Sequence, residues 1–411
     1  MRILYLNPCG RMGGAELSLV DVMASIRAAE PNWELHLVIG ENGPLVQRAQ
    51  QLGVATTVVP FPRALARLGD SGQRALTVLW NGCKAVPAIL LYALRLHRTC
   101  SAIQPDIIHT NGFKMHILAL WARARRTPVI WHVRDYIGSR TWMRQLLRFH
   151  AGRCAAAIGN SKSVAADVEQ VCGARFETLC VYNAIDLTEF SPVGERADLD
   201  SLSGLASAAD ATLRIGLIAT MAHWKGHGVF LRALAALPAG LSYRAYIVGG
   251  AIYQTDHSQQ TLEELRALAA ELGISERVGF TGYVRDTSSV MRALNIVVHA
   301  STAPEPFGRV VAEGLASGRA VIYSSAGGAA ELVTEGVDGL GHAPGDERAL
   351  AARILELAGD PALRERLGRA GRITAEQRFE RGRLAGEIIP LYRRIAVQSS
   401  AEPAEQLAVS R

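Results

Sequence analysis

The stretch NIVVHASTAPEPFGRVVAEGLASGRAVIYSS, residues 295–325, reads as an apolar run, a polar loop, a helix from about Phe307 and a second apolar run. Short runs that are apolar throughout are the pattern of strands buried on both faces. A helix joining two of them is the crossover of a parallel sheet. Pro306 falls near the first turn, where proline is tolerated. The N–H groups of Phe307, Gly308 and Arg309 would lack intrahelical acceptors and could meet an anion. Glu305 lies just before the helix and Glu313 about two turns inside it, roughly 12 Å away at helical rise. That is too far for an acid–base pair on one bond, and it suits two ends of one ligand. The alternative is that both acids cap the helix or pair with local arginines.

The same pattern extends outward. RILYLN, PCGRMGG and AELSLVDVMASIRAA form one strand–loop–helix unit, and LRIGLIAT, MAHWKGHG and VFLRALAAL form another. More apolar runs follow in each half, among them DIIHTN, PVIWHV, YRAYIVGG and VGFTGYV. Strands alternating with helices predict α/β architecture: two Rossmann-like, doubly wound parallel-sheet domains facing a central cleft. A chain of 411 residues fits two domains better than one. The expected division is 1–186, an Ala/Ser/Asp-rich linker loop over 187–212, a second domain over 213–380, and a terminal helix over 381–411 returning toward the first domain, with a flexible tail.

Composition narrows the function classes. Hydrophobic residues make up 49% and charged residues 20%, which excludes a disordered chain. Six scattered cysteines without a CxxC pair fit reduced thiols better than a disulfide frame or zinc site. The net charge is +6, and residues 1–186 carry 21 Lys and Arg against 12 Asp and Glu. The readings are solvated helix faces, an anionic substrate or an anionic membrane surface. Nucleic acid is disfavoured, because no binding motif accompanies the bases. No secretory signal is visible, so the expected location is cytoplasmic, with peripheral attachment at the inner face of the membrane as an option. The most apolar segment, Leu76–Leu96, is interrupted by Lys84, Pro87 and Arg95 and is too short to span a bilayer. It is expected to be core or interfacial.

Two glycine loops carry candidate chemistry. In GRMGGAE, Gly13 and Gly14 would let backbone N–H groups approach an anion at a helix start. A dinucleotide site and a purely structural turn are the other readings there. In HWKGH, Lys225 ends a loop before a helix, where an ammonium can meet phosphate or simply be solvated.

These pieces together resemble family 4 of the retaining glycosyltransferases. PEPFGRVVAEGLASGRAVIYSSAGGAAELVTEGVDGLGHAPGD is similar to its two-glutamate signature. GGAE at 13–16, WHVRD at 131–135, NAID at 183–186 and WKGH at 224–227 fall where that family has counterparts. The resemblance implies a GT-B fold whose second half binds a nucleotide diphosphate sugar. Carried over residue by residue, Glu313 would hold the ribose and Glu305 the transferred sugar. Lys225 and the glycine loop of Gly13 and Gly14 would face the diphosphate, with Phe307, Gly308 and Arg309 at the helix start beside it. Tyr283, Val284 and Arg285 would border the base, and His132 would stand at the reacting centre on the acceptor side. Thr220 belongs to the same donor loop, but the family commonly has arginine there, which weakens the diphosphate contact unless His223 substitutes in part or Arg309 acts with Lys225.

The implied reaction moves a sugar from the donor to a glycan or lipid-linked acceptor of cell-surface polysaccharide or glycolipid. It needs no cofactor and no metal, since no DxD-type acid pair stands near the phosphate loops. Asn111, Lys114, His116 and Arg134 are candidates to line the acceptor pocket, or are simply exposed. The alternative is a sugar-nucleotide epimerase or phosphorylase on the same architecture. A nicotinamide dehydrogenase is a third reading.

Overall fold

The computed structural model describes residues 1–63, 65, 75–124, 127–250 and 259–408, with side chains described except at 75–85 and 400–408. Arg125 and Arg126 therefore lie outside the described residues, as do the side chains of the first half of Leu76–Leu96. The chain folds as two compact units, Met1–Asn183 with Arg381–Arg411, and Ala184–Glu380.

Among the described residues the first unit holds seven strands: β1 (Arg2–Asn7), β2 (Glu34–Ile39), β3 (Ala55–Val58), β4 (Ile107–Asn111), β5 (Val129–Val133), β6 (Ala156–Gly159) and β7 (Glu177–Cys180). They form one sheet in the order β3-β2-β1-β4-β5-β6-β7, and every pair is parallel. The centre is solid with Ile3, Leu4, Leu6, Ile108, Val129 and Trp131, which matches the apolar runs. Opposite residues are Tyr5 and His109 across β1 and β4, His109 and Ile130 across β4 and β5, and Asn111 and His132 in the same ladder. Because side chains alternate along a strand, Tyr5, His109, Asn111 and His132 share one face. The helix Arg383–Ala408 packs on the helix Gly14–Ala29. Ser25 Oγ donates to Gly382 O and accepts from the Ala385 N–H, while Arg381 pairs with Asp21 at 3.0 Å.

The second unit holds β8 (Leu213–Ile218), β9 (Tyr243–Val248), β10 (Val278–Gly282), β11 (Ile296–His299), β12 (Ala320–Ser324) and β13 (Leu340–His342). Their order is β10-β9-β8-β11-β12-β13, again all parallel. In each sheet the winding reverses between two central strands, β1 and β4 or β8 and β11. Loops beyond the carboxyl ends of such a pair are where open α/β sheets bind ligands.

Residues 187–212, expected as a linker loop, are built into this second unit. Leu199–Ser203 is a helix, and Asp200 is 2% exposed. Its carboxylate accepts from Tyr246 Oη at 2.6 Å, Arg214 Nη2 at 3.1 Å and the Ala208 N–H at 3.0 Å. The Ala/Ser-rich composition concealed this anchor, because one buried acid with three donors leaves no periodicity.

Two glycines shape the loops at the second switch point. Gly226 has φ +76°, and a Cβ there would lie 1.8 Å from Ala300 O. Gly308 has φ +87°, and its Cβ would lie 2.7 Å from Ala329 Cβ. The helix begins at Arg309, not at Phe307 as expected. Phe307 is instead buried and packs edge-on against Phe379, and the left-handed Gly308 sets the helix start.

Burial pushes the Asp200 carboxyl upward, but its bonds from Tyr246, the Ala208 amide and Arg214 outweigh this and hold it below its ordinary range. A lowered folded-state value gives stability that is full above the usual carboxylate range of about 4 and is lost as pH falls below it. Asp200→Ala should lower the stability of the second unit by about 2–4 kcal/mol at pH 7, with a smaller deficit at pH 3. Denaturant titration at the two pH values measures both.

Candidate active site

The site in the second unit is built from the loops after β8 and β11. The short turn His223–Lys225 follows β8, and the loop after β11 carries Ser301 and Glu305. The Thr302 N–H donates to Trp224 O at 2.8 Å, which joins the two loops. Glu305 Oε1 then lies 2.5 Å from Lys225 Nζ, 2.5 Å from Ser301 Oγ and 3.1 Å from His299 Nε2. Lys225 Nζ also stands 4.0 Å from the centre of the Trp224 ring. The Ser324 N–H points at His299 Nδ1 at 3.3 Å, so the neutral ring carries its hydrogen on Nε2, facing Glu305. Glu305 is 6% exposed. Burial pushes its carboxyl upward, but Lys225 and His299 overcome this and hold it well below the usual carboxylate range. This is a buried anion with a set of fixed donors.

Glu313 is likewise 6% exposed and accepts from Arg309 Nε at 2.8 Å, one helical turn away. Arg309 Nη1 also reaches Ala184 O. Both glutamates of the signature are thus ion-paired, each with its own cation. Thr220, standing where an arginine was expected, donates to Gly250 O at 3.1 Å. Tyr283 and Arg285 are exposed, and Val284 is half-buried.

In the first unit a cavity of about 200 Å³ opens at the switch point of the sheet, lined by Asn7, Asn111, His116, Arg134, Asp135 and the helix-start residues Ala15 and Glu16 among others. Three of the four acceptor candidates, Asn111, His116 and Arg134, line it, while Lys114 is half-buried outside it. Arg134 is fixed by Asn111 Oδ1 at 2.8 Å and Asn183 Oδ1 at 2.5 Å. Gly13 caps the helix that starts at Gly14, and its N–H donates to Glu16 Oε2 at 3.2 Å. Gly14 stays open, since an added Cβ would meet nothing within 4 Å.

His116 is fully buried. The Thr110 hydroxyl donates to Ile130 O at 3.0 Å, so at 2.6 Å from His116 Nδ1 it can only accept. His116 therefore carries its hydrogen on Nδ1, and Nε2 is a bare lone pair with no partner. Burial, with Arg134 nearby, pushes its imidazolium down to about 3. His132 lies inside β5 and is 2% exposed. Its Nε2 has no partner either.

The structure adds residues the sequence reading passed over. His299 ends β11 and Ser301 follows it, and a polar residue at the carboxyl end of a central strand is the signal that finds them. Glu16 emerges as the residue that holds the glycine loop. Among the described residues, no group of three or more His, Cys, Asp or Glu side chains could hold a metal ion.

The family model described as Glycosyltransferase Family 4 matches residues 42–189, and that of Glycosyl transferases group 1 matches 209–374. The chain belongs to the family-4 glycosyltransferases, and its two Rossmann-like parallel-sheet domains are those of the GT-B class. It is 31% identical over 183 residues to the lipopolysaccharide core biosynthesis mannosyltransferase LpcC of Rhizobium leguminosarum bv. viciae, covering 44% of this chain and 50% of the relative. It is 36% identical to LpsD, a lipopolysaccharide core biosynthesis glycosyltransferase of Rhizobium meliloti, over 32% of this chain and 38% of that one. The chain spans only about a third to three-fifths of the length of the curated relatives it matches. The crystal structure of Anabaena Alr3699/HepE in complex with UDP is similar at TM-score 0.75 and 26% identity, over 95% of this chain and 99% of that one. The same protein in complex with UDP-glucose matches at TM-score 0.73 and 25% identity, over 98% of this chain and all of that one.

The Lys225–Glu305 pair should behave as one unit in stability measurements. Lys225→Met strands a buried carboxylate and Glu305→Gln strands a largely buried ammonium, each costing about 2–4 kcal/mol. The double substitution should cost at least about 1 kcal/mol less than the sum. A denaturant double-mutant cycle checks this, and strict additivity would contradict the pairing.

Proposed function

We propose that the chain transfers a sugar, with retention of configuration, from a nucleotide diphosphate sugar to a glycan or lipid-linked acceptor in cell-surface polysaccharide synthesis. The observation that carries this reading is the Lys225–Glu305 pair, buried at the switch point of the second sheet between Ser301, His299 and Trp224. A buried cation–anion pair on two ligand-facing loops offers both halves of a phosphate-sugar contact. The diphosphate takes the ammonium of Lys225, and the carboxylate of Glu305 accepts from sugar hydroxyls. The names of the Rhizobium relatives and the UDP and UDP-glucose complexes of the Anabaena protein support the same class of donor and product.

In this mechanism negative charge grows on the leaving nucleoside diphosphate as the glycosidic bond breaks. Lys225, aimed at that charge from a water-poor site, contributes more in the transition state than in the ground state. Glu313, set by Arg309, holds the ribose, which does not change. Tyr283, Val284 and Arg285 border the base. Glu305 is ion-paired and has no proton to give, so the departing phosphate itself is the natural base for the incoming hydroxyl. No metal enters this account. On the acceptor side, the bare Nε2 of His116 in a cavity bordered by Glu16 and Asp135 favours a neutral hydroxyl over an anionic group.

Steady-state kinetics with the donor varied, in the presence of EDTA, test the proposal. Lys225→Ala should lower kcat by about 10²–10³. Glu313→Ala should mainly raise donor KM. Activity that disappears with EDTA and returns with magnesium or manganese would overturn the metal-free mechanism. A Lys225→Ala effect confined to KM would make the lysine a ground-state contact only.

An anionic membrane surface belongs to the same proposal. Among the described residues no helix is long and apolar enough to cross a membrane. The helix Ala75–Ile103 nevertheless buries Tyr92, Leu96 and Cys100 while exposing Leu90, Leu91 and Leu94 beside Arg95 and Arg98. The helix Thr141–His150 exposes Trp142, Leu146 and Phe149, one stripe at i, i+4 and i+7. From residue 71 to 134 the only acid is Asp106. Basic, apolar helix faces of this kind lie in the headgroup region of anionic bilayers. The protein should float with anionic liposomes at low salt and be released by high salt. Leu90→Glu with Leu94→Glu should abolish flotation, and a wild-type protein that never floats would make the face ordinary surface.

A further inference from the structure

Three strands of the first sheet bring Tyr5, His109 and His132 to one face, and Tyr392 from the helix Arg383–Ala408 reaches the same place. His109 Nδ1 is 2.6 Å from Tyr392 Oη, and His109 Nε2 is 3.0 Å from His132 Nδ1. Arg134 Nη2 is 3.2 Å from the same His132 Nδ1. All four of these aromatic side chains are at most 2% exposed.

The hydrogens on this chain follow from one fact. A guanidinium has donors and no acceptor, so His132 Nδ1 must present its lone pair to Arg134. His109 Nε2 must then be a donor as well, because two lone pairs cannot face each other at that distance. A neutral His109 with its hydrogen on Nε2 leaves Nδ1 as an acceptor, and the Tyr392 hydroxyl donates to it. His132 is consequently neutral, with its hydrogen on Nε2, the atom that has no partner in the protein. Burial, then Arg134, His109 and His116, holds its imidazolium far below the ordinary range. Burial keeps the Tyr392 phenol protonated, which preserves the donor at the head of the chain.

We propose that Tyr392 and His109 are positioning residues that, with Arg134, lock His132 as a hydrogen-bond donor at Nε2. It serves there as a neutral donor to an oxygen of the reacting sugars and not as a general base. The role rests on the sugar-transfer reading, whereas the lock rests on the geometry alone. It also gives the terminal helix a part in the chemistry. A donor whose ring cannot turn or change tautomer costs no reorganisation when substrate arrives.

The lock can be read without turnover. In protein labelled with ¹⁵N-histidine at pH 7, His132 and His109 should each show a hydrogen-bearing Nε2 and a bare Nδ1, with His132→Ala and His109→Ala giving the assignments. Tyr392→Phe keeps the ring that stacks on Trp33 and removes only the hydroxyl. His109 Nδ1 should then compete for the hydrogen, the two tautomers should mix, and kcat should fall about five- to tenfold at unchanged donor KM. Tyr392→His, which can restore a donor, should recover part of the loss. A hydrogen on His132 Nδ1 in the wild type would overturn the lock. Intact tautomers and kcat in Tyr392→Phe would overturn the role of Tyr392. A locked His132 whose replacement by alanine leaves kcat intact would overturn the positioning role while leaving the transferase reading standing. A locked wild-type protein that transfers no sugar would overturn the transferase reading and the role with it.

Discussion

The ion pair between Lys225 and Glu305 is the constraint around which the second unit is organised. A carboxylate at 6% exposure is costly to desolvate, and it is tolerated only when donors converge on it. Those donors come from three places: the turn after β8, the end of β11 and the loop that follows it. Gly226 lets the lysine turn lie against Ala300, and the Thr302 amide ties the two loops through Trp224 O. Behind them, Gly308 admits Ala329 and sets the helix that carries Glu313. Each feature has a local reason in packing, and together they hold opposite charges ready at a place where sheets of this kind bind ligands.

The first unit solves a different problem with neutral groups. Beside the buried carboxylates Glu16 and Asp21, it buries histidines, asparagines and hydroxyls whose hydrogens are assigned by their neighbours. Thr110 makes His116 an acceptor at Nε2, and Arg134 makes His132 a donor at Nε2. Neither ring can charge readily so deep in the fold, so each is a fixed dipole. The second unit presents charge. The proposed transfer, in which a diphosphate leaves a sugar while a neutral hydroxyl attacks, has use for both.

Much of this was legible in the sequence. The all-apolar strands, the alternation with helices, and the glycine loops after β1 and β8 define both sheets, because parallel buried strands leave an unmistakable hydrophobic record. Lys225, Glu305 and Glu313 were legible through motif spacing. The start of the helix at Arg309 was not, because a left-handed glycine next to a buried Phe307 depends on what Ala329 and Phe379 do far away in sequence. The anchoring of residues 187–212 through Asp200 was hidden for the same reason. The partners of Glu305 and the His109–Tyr392 contact were also out of reach, since they join residues separated by up to 283 positions. Periodicity reports which face a residue is on, and it does not report which donor meets which acceptor.

The central claim is that the buried Lys225–Glu305 pair is a preformed site for a nucleotide diphosphate sugar. Calorimetric titration of the intact chain in EDTA with UDP, UDP-glucose and GDP-mannose addresses it directly. The account predicts saturable, metal-independent binding of at least one diphosphate or diphosphate sugar, weakened at least about tenfold by Lys225→Met, a loss of about 1.4 kcal/mol. Binding that requires a divalent ion, or that is indifferent to Lys225→Met in a folded protein, would contradict it.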